Sequence, residues 1–415
     1  MDVEKGKVPR GSNTIRIPCD EAQYKELLKR HRSFKNYVDA VYKSNPELFP
    51  HLMSHGYILH GKTKASMKMD GLLLYRIKLI ANGEVFTVAP SYILPYMVGK
   101  VADVEHALFL KKFDVPDWAL THIFGRNDMY WYRAACALGR GSIVGTTVRS
   151  ADKVPQHIVV DEKHTKLQGE KVYVPITVGE HCFLGIDICL NADENDLTEA
   201  YGVFSEEAKN VSKKYNPKTA NTDGWGATNR AMQALFPRIT IILCFLHAFL
   251  KIRKTCKKDK ITISSIKKKV WDAYSAGTKR IFSQRLRRLK EWAESYSFVS
   301  DTTKNKVLLL CANKNKFMLA YDHKSCRRTS NMIDRLMRIM SESLVNRQYF
   351  HGGIQSARLW LRSRVLLYNF APLCTRSRKE KGGLHCPSKL LNGFSYSENW
   401  LENLMVCSSM AGRRR

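Results

Sequence analysis

The chain has 415 residues, of which 44% are hydrophobic, so it is long enough for two or three domains and apolar enough to bury a core. That composition excludes an intrinsically disordered protein. Lysines and arginines number 68 against 38 aspartates and glutamates, which gives a formal net charge of +30. A positive field of this size favours a polyanionic partner, and nucleic acid is the first candidate because neutralised phosphates release their counterions.

The cysteines and the apolar runs bear on the cellular compartment. The 11 cysteines are an odd number and lack the regular spacing of a disulfide framework. The first ten residues, MDVEKGKVPR, are polar and charged, unlike a secretion signal. No apolar run reaches the roughly 18 residues that a membrane span requires. We therefore expect reduced thiols in a cytoplasmic protein without a membrane partner, nucleoid-associated in a prokaryotic cell or nuclear in a eukaryotic one.

The first hundred residues predict two segments. Residues 1–55 are polar and basic, and they predict a basic N-terminal segment with one helix over residues 21–42. Residues 56–98 predict a small β-hairpin region, because apolar and polar positions alternate on both sides of Asn82-Gly83, a typical hairpin turn.

Residues 99–142 predict short helices around a tight turn. Gly125 can end one helix, and Asn127 or Asp128 can cap the next. This arrangement is typical of a helix-turn-helix DNA-binding region, with an ordinary helical hairpin as the alternative. In the DNA-binding interpretation, the second helix would lie in the major groove. Its residues near base edges or phosphates would be Asp128, Tyr130, Trp131 and Arg133.

From residue 155 the sequence changes to an α/β pattern, which predicts a catalytic domain over residues 155–375. Three apolar strands, in HIVVDE, VYVPITVG and CFLGIDICL, precede a helix, a strand, a helix and a strand. That order predicts a mixed five-stranded RNase H-like sheet with flanking helices, antiparallel in its early strands and parallel in its later ones. Residues 260–322 predict a helical insertion before a last helix. Residues 376–415 predict a basic tail that ends in mobile arginines.

Two aspartates lie at the ends of predicted strands, where side chains can form a binding site. Cleavage of a phosphodiester needs an activated water and a stabilised leaving oxygen, which two divalent ions about 3.5–4 Å apart supply. Mg²⁺ prefers hard oxygen ligands, so carboxylates must converge from separate elements. Asp161 follows the apolar run HIVV, and Asp223 precedes a helix where α/β folds bind ligands. Glu162 should face the opposite side of its strand. A turn acid at Asp161 and a helix cap at Asp223 are the alternatives.

A third aspartate lies in the last helix. Asp334 is next to an apolar stripe, and an acid in that position can reach a site at the edge of the sheet. The stripe consists of Ile333, Leu336, Met337, Met340 and Leu344. A solvated ion pair with Arg338 is the alternative for Asp334. Glu342 is its main rival as the third acid.

Four blocks, in this order, resemble the DDE/DDD transposases of bacterial and archaeal insertion sequences and are similar to the Mutator-like group: VVDEKHTKLQG, TDGWGATNRAMQALFP, ILCFLHAFLKIR and TSNMIDRLMR. The resemblance covers about residues 90–375. It implies a catalytic triad of Asp161, Asp223 and Asp334 that holds two Mg²⁺ or Mn²⁺ ions. These enzymes cut transposon ends as endonucleases and join the freed 3′-hydroxyl to target DNA. The family usually has glutamate at the position of Asp334.

The resemblance also bears on partners and on the residues around the triad. Synapsis of two transposon ends implies a homo-oligomer. Cys244 and His247 match a C-x-x-H of the Mutator-like group, but two soft ligands do not complete a structural zinc site. A buried cysteine and a helix-start histidine, which could contact the scissile phosphate, are the favoured interpretation. Trp225 could stack on a splayed base or belong to the core. The basic residues expected to bind DNA are Arg133, Lys251, Arg253, Lys254, Arg335 and Arg338.

Two other functions fit the same residues. One is a metal-dependent nuclease of the same fold that cuts DNA without joining strands. The other is a domesticated DNA-binding protein that lacks catalysis. Neither the terminal repeat sequences nor the target preference can be read from the chain.

Overall fold

A computed structural model describes residues 12–95, 98–257, 259–298, 300–329, 331–346, 348–383 and 385–413. The side chains of Asn331, Met332, Asp334 and Arg335 lie outside this description. The described residues form a four-stranded and a five-stranded sheet with helices around them. In this part of the chain, no helix has the length and apolar character needed to cross a membrane.

The N-terminal sheet has the strand order β1-β4-β3-β2. Its elements are β1 (Thr14–Ile17), α1 (Glu21–Lys29), α2 (His31–Ser44), β2 (Tyr57–Lys62), β3 (Tyr75–Leu79) and β4 (Val85–Pro90). The hairpin predicted around Asn82-Gly83 is confirmed, because β3 and β4 pair in antiparallel fashion. The single helix predicted over residues 21–42 is wrong: the backbone is extended at Arg30, which separates α1 from α2. Phe34 of α2 and Ile77 of β3 share one core, so residues on both sides of position 55 belong to the same unit.

Three helices follow, α3 (Val101–Lys111), α4 (Asp117–Phe124) and α5 (Asp128–Leu138). As predicted, Gly125 ends α4, and the side chain of Asn127 caps α5 by accepting the amide hydrogen of Tyr130 at 2.8 Å. The prediction that Trp131 contacts DNA is wrong. Its ring is 1% exposed and its indole N–H donates to the carbonyl of Gly125, because the large apolar ring fills the core beneath the turn. Arg133 is exposed on the same helix.

The central sheet is mixed, with the order β7-β6-β5-β8-β9. Its elements in chain order are α6 (Ile143–Thr147), β5 (His157–Leu167), β6 (Glu170–Gly179), β7 (Cys182–Ile186), α7 (Glu194–Val211), β8 (Thr219–Thr222), α8 (Gly226–Leu235) and β9 (Thr240–Leu243). β5, β6 and β7 are antiparallel neighbours, whereas β5, β8 and β9 are parallel. The predicted mixed five-stranded sheet, antiparallel in its early strands and parallel in its later ones, is confirmed and is compatible with an RNase H-like fold. β5 does not end at Asp161 but continues to Leu167 in its pairing with β6.

Helices dominate the remaining chain. They are α9 (Phe245–Thr255), α10 (Lys260–Tyr274), α11 (Lys279–Ser295), α12 (Asp301–Ala312), α13 (Lys314–Met318), α14 (Asn331–Asn346), α15 (Ile354–Phe370), α16 (Thr375–Glu380), α17 (Pro387–Asn392) and α18 (Trp400–Cys407). The predicted helical insertion is confirmed as α10 to α13, which share a separate core with α9. The apolar stripe of α14 packs with α15 against one face of the central sheet, and α7 and α8 cover the other face.

The described part of the C-terminal segment is folded up to residue 412, which corrects the prediction of a basic tail over residues 376–415. Arg414 and Arg415, which were predicted to be mobile, lie outside the described residues. Val406 and Met410 are buried in the core of the N-terminal sheet. The hydroxyl of Ser409 accepts the amide hydrogen of Arg16 and donates to the carbonyl of Leu48.

Candidate active site

Asp161 lies within β5, and Asp223 directly follows β8, the parallel neighbour of β5. Val159 of β5 is paired with Asn221 of β8, and each aspartate stands two residues further along its strand. Adjacent strands are about 4.8 Å apart, so the two positions are neighbours at this edge of the sheet. Side chains alternate along a strand, so Asp161 lies on the same face as Val159, whose side chain packs in the core that contains α14.

The loop after β8 fixes the backbone of Asp223. One carboxylate oxygen of Asp223 accepts the amide hydrogen of Trp225 at 2.8 Å, an Asx turn that precedes the helix, so Asp223 is not the N-cap of α8. Gly224 has a φ of +93°, and a Cβ at this position would lie 2.6 Å from a methyl carbon of Leu243. The turn therefore requires glycine. The Lys251 ammonium is 3.3 Å from the carbonyl oxygen of Asp223 and 3.8 Å from its carboxylate.

Glu162 lies on the opposite face of β5 from Asp161. Its Oε1 accepts hydrogen bonds from the hydroxyls of Tyr201 and Thr228, both at 2.7 Å. The pKa of Glu162 is raised to about 7, mainly by burial and also by the negative charges of Asp161 and Asp223, while the hydrogen bonds from the two hydroxyls act to lower it. Three carboxyl groups therefore influence one another at this edge of the sheet.

Asp334 belongs to α14, and contacts at both ends hold this helix against the sheet. Before the helix, the side-chain amide of Asn221 donates to the carbonyl of Arg327 at 3.1 Å. After the helix, the amide of Phe350 donates to the carbonyl of Lys166, and the amide of Gln168 donates to the carbonyl of Phe350. The helix thus follows β5 and approaches β8. The side chains of Asp334 and Arg335 lie outside the described residues, so their contacts are not part of the description.

The rival acid, Glu342, lies on the solvent side of α14. Its side chain is 61% exposed and its carboxylate is 3.6 Å from the guanidinium of Arg338. This pair has the solvated i,i+4 geometry that the sequence offered as an alternative for Asp334.

The other candidate residues lie near this edge in different surroundings. Cys244 is buried at the start of α9, and its sulfur accepts the amide hydrogen of His247 at 3.4 Å. Trp225 is 37% exposed, with its ring centroid 6.3 Å from that of Tyr173. The described basic candidates are all exposed: Arg133, Lys251, Arg253, Lys254 and Arg338.

The described side chains include only part of the proposed metal site. Among them, no group of three or more histidines, cysteines, aspartates or glutamates could hold a metal ion. The side chain of Asp334 lies outside the described residues. Two carboxylates, Asp161 and Asp223, therefore define the described part of the site.

Some residues of the site were missed by the sequence. The alternation along β5 correctly turned Glu162 away from Asp161, but nothing local indicated that Tyr201 and Thr228 would donate to it. Asn221 is a second case: it is buried and holds the segment before α14, and a single asparagine within a short strand gives no such signal.

Comparison with known proteins was made at the level of families and of single proteins. The chain matches no protein-family model and no curated protein. The chemistry of the site is therefore inferred from its carboxylates, their strand register and the charges around them.

Proposed function

We propose that the chain is a transposase with an RNase H-like core, which cuts DNA at transposon ends and joins the freed 3′-hydroxyl to target DNA. The observation that carries the proposal is the parallel pairing of Val159 in β5 with Asn221 in β8, because Asp161 and Asp223 each follow two residues later. Their position, where β8 ends before α8, is the kind of edge at which α/β sheets bind ligands. The strand order, three antiparallel strands followed by two parallel ones, supports the RNase H-like assignment.

The course of α14 supports Asp334 as the third acid. From Asp161 to Leu167, β5 rises about 20 Å. From Asp334 to the end of α14 at Asn346, the helix rises about 18 Å. Leu167 and Phe350 are bridged, so the chain that leaves α14 meets the far end of β5. The two stretches have nearly the same length, so α14 is long enough for its first turn to reach the level of Asp161.

The donor chemistry fits divalent metal ions. Asp161 and Asp223 offer hard carboxylate oxygens, and their combined charge already raises the pKa of Glu162. Together with Asp334 they would hold two Mg²⁺ or Mn²⁺ ions. Such ions supply a nucleophile near neutral pH and stabilise the leaving oxygen of an in-line displacement.

The protein's own residues position the DNA. Lys251, beside Asp223, neutralises a phosphate next to the cut, and Arg253 and Lys254 continue the positive charge along α9. At a distance from the site, α4 and α5 act as the helix-turn-helix, with Arg133 exposed to contact the duplex. The proposed strand transfer needs two transposon ends at once, so we expect the active form to be a homo-oligomer.

The test is cleavage and joining of labelled DNA that carries the inverted repeats bracketing the reading frame, with Mg²⁺ or Mn²⁺. We expect nicked ends followed by strand-transfer products, and loss of both with Asp161→Asn or Asp223→Asn while the DNA remains bound. Hydrolysis without joined product would instead identify a nuclease. Binding without cleavage by the unaltered protein would identify a DNA-binding protein that lacks catalysis.

A further inference from the structure

A groove opens beside Asp223, between the central sheet and the helical insertion. Its volume is about 410 Å³, which lies within the roughly 300–1,000 Å³ typical of sites for small molecules. Asp223 and Gly224 are among its lining residues. The groove continues between α8 and β9 on one side and α9, α12 and α13 on the other.

Positive charge reaches this groove from three different helices. Lys251 comes from α9, Lys306 from α12 and Lys316 from α13. Asp223 is the acidic residue among the lining residues. Three lysines against one aspartate make the groove suited to an anionic chain that passes beside Asp223.

The remaining lining is apolar with amide groups. Leu243 of β9 and Leu309 of α12 contribute apolar surface, and Leu309 is 52% exposed although it is a large hydrophobic residue. Asn229 and Gln233 of α8 and Asn313 contribute side-chain amides. The hydroxyl of Thr222 donates to the amide oxygen of Asn229 at 2.8 Å, which fixes that amide next to Asp223. Apolar surface can cover the face of a base, and amides can bond its edge.

We propose that this groove, the insertion groove, receives an unpaired nucleotide of the DNA strand next to the cut. Its base packs on Leu309, and its phosphates bind Lys306 and Lys316. The inference rests on the proposed function, because Asp223, a proposed metal ligand, lines the groove. Enzymes that act on a DNA base move its nucleotide out of the base stack. Binding of that nucleotide in a pocket offsets the free energy of unstacking.

The test uses single-stranded oligothymidylate that contains 4-thiothymidine, together with a blunt duplex, both without divalent ions. We expect photo-crosslinks on peptides from α12 and α13. The double variant Lys306→Gln with Lys316→Gln should bind the single strand more weakly. It should lower the slope of log affinity against log salt by about 1.4, since each phosphate contact on a single strand contributes roughly 0.7. Binding of the blunt duplex should stay as in the wild type.

A matched control is available on the same helix. Lys304 of α12 does not line the groove, and its ammonium donates to the carbonyl of Glu294 at 3.2 Å. Lys304→Gln should leave single-strand affinity and salt slope unchanged, whereas Lys306→Arg with Lys316→Arg should restore both. Thermal unfolding of every variant verifies that the fold is intact.

The outcomes separate the groove from the enzyme activity. Crosslinks outside α12 and α13, or a double lysine variant that binds single strands like the wild type, would overturn the groove even in a protein that cuts and joins DNA. Crosslinks within the groove in a protein that neither cuts nor joins DNA would support nucleotide binding in the groove and contradict the transposase function.

Discussion

Asp161 and Glu162 are neighbours in the sequence but lie in different surroundings. Glu162 is turned toward α7 and α8, where Tyr201 and Thr228 donate to it. Asp161 is turned toward the face that α14 covers. The carboxylate of Asp161 therefore lies on the side of β5 where it can serve as a metal ligand. The carboxylate of Glu162, one residue further on, is held by hydroxyl groups on the other side.

The two acids of α14 can be told apart by substitution. We expect Asp334→Asn to abolish metal-dependent cleavage, because it removes a ligand oxygen from a helix that follows β5. Glu342→Gln is the matched control, and it should cleave like the wild type, because Glu342 is exposed and paired with Arg338. The measurement is cleavage of labelled end DNA with Mn²⁺. A dead Glu342→Gln beside an active Asp334→Asn would reverse the assignment of the third acid.

Glu162 should make stability depend on pH when divalent ions are absent. Its pKa is about 7 in the folded protein, against 4.5 for an ordinary glutamate. Between these values the folded state binds more protons at this carboxyl than the unfolded state does. The free energy of unfolding therefore falls as the pH rises through that window. Glu162→Gln should remove a fall of about 3 kcal/mol.

Urea unfolding in EDTA from pH 4.5 to 8 measures this effect as the difference between wild type and Glu162→Gln. Other titrating groups are common to both proteins and cancel. Stability curves that remain parallel over the window would show that Glu162 does not titrate as its surroundings predict.

At the scale of elements, helix boundaries followed local chemistry and helix positions did not. Asn127 caps α5 and Asn82-Gly83 turns the hairpin, as their side chains and backbone preferences predict. The position of α14 depends on residues remote in sequence. The guanidinium of Arg364, on α15, is 2.8 Å from the carboxylate of Asp114 and donates to the hydroxyl of Ser343 on α14.

Breaking this buried ion pair should loosen α14. We expect Arg364→Met to lower the free energy of unfolding by about 3–5 kcal/mol, because it leaves the carboxylate of Asp114 without its cation. Arg376→Met is the control, since Arg376 forms an exposed pair with Glu380 and should change stability by less than about 0.5 kcal/mol. Urea unfolding of both variants gives the comparison. Equal stability of the two would mean that the pair does not hold α14.

At the scale of the molecule, the C-terminal segment packs against the N-terminal sheet. The segment after α18 returns to the N-terminal sheet, where Met410 is buried beside the first strand and its helices. The N-terminal unit is thus completed by the last residues of the described chain.

Truncating the buried side chain of Met410 should destabilise the protein. We expect Met410→Ala to cost about 2–5 kcal/mol, the usual range for a buried methionine cut back to alanine. Met67→Ala makes the same change at a side chain that is 92% exposed and should be nearly neutral. Thermal unfolding measures both. Similar melting temperatures for the two variants would contradict a structural role of the C-terminal segment.

The sequence by itself determined the features that depend on neighbouring residues. Alternation and period gave the order of strands and helices in the central sheet, the hairpin, the turn between α4 and α5, and the buried stripe of α14. The positive charge that favours a nucleic acid partner is likewise a property of composition. These features follow from backbone preference and from the need to bury apolar surface, both of which act over a few residues.

Only the tertiary structure decided which distant residues meet. It paired Val159 with Asn221, buried Trp131 in a helix expected to contact DNA, gave Glu162 its hydroxyl donors and folded the C-terminal segment into the N-terminal core. It also joined lysines from three helices in the insertion groove beside Asp223. Such contacts are set by packing across the whole chain, where shape and the burial of polar groups choose among many partners that a local pattern leaves equivalent.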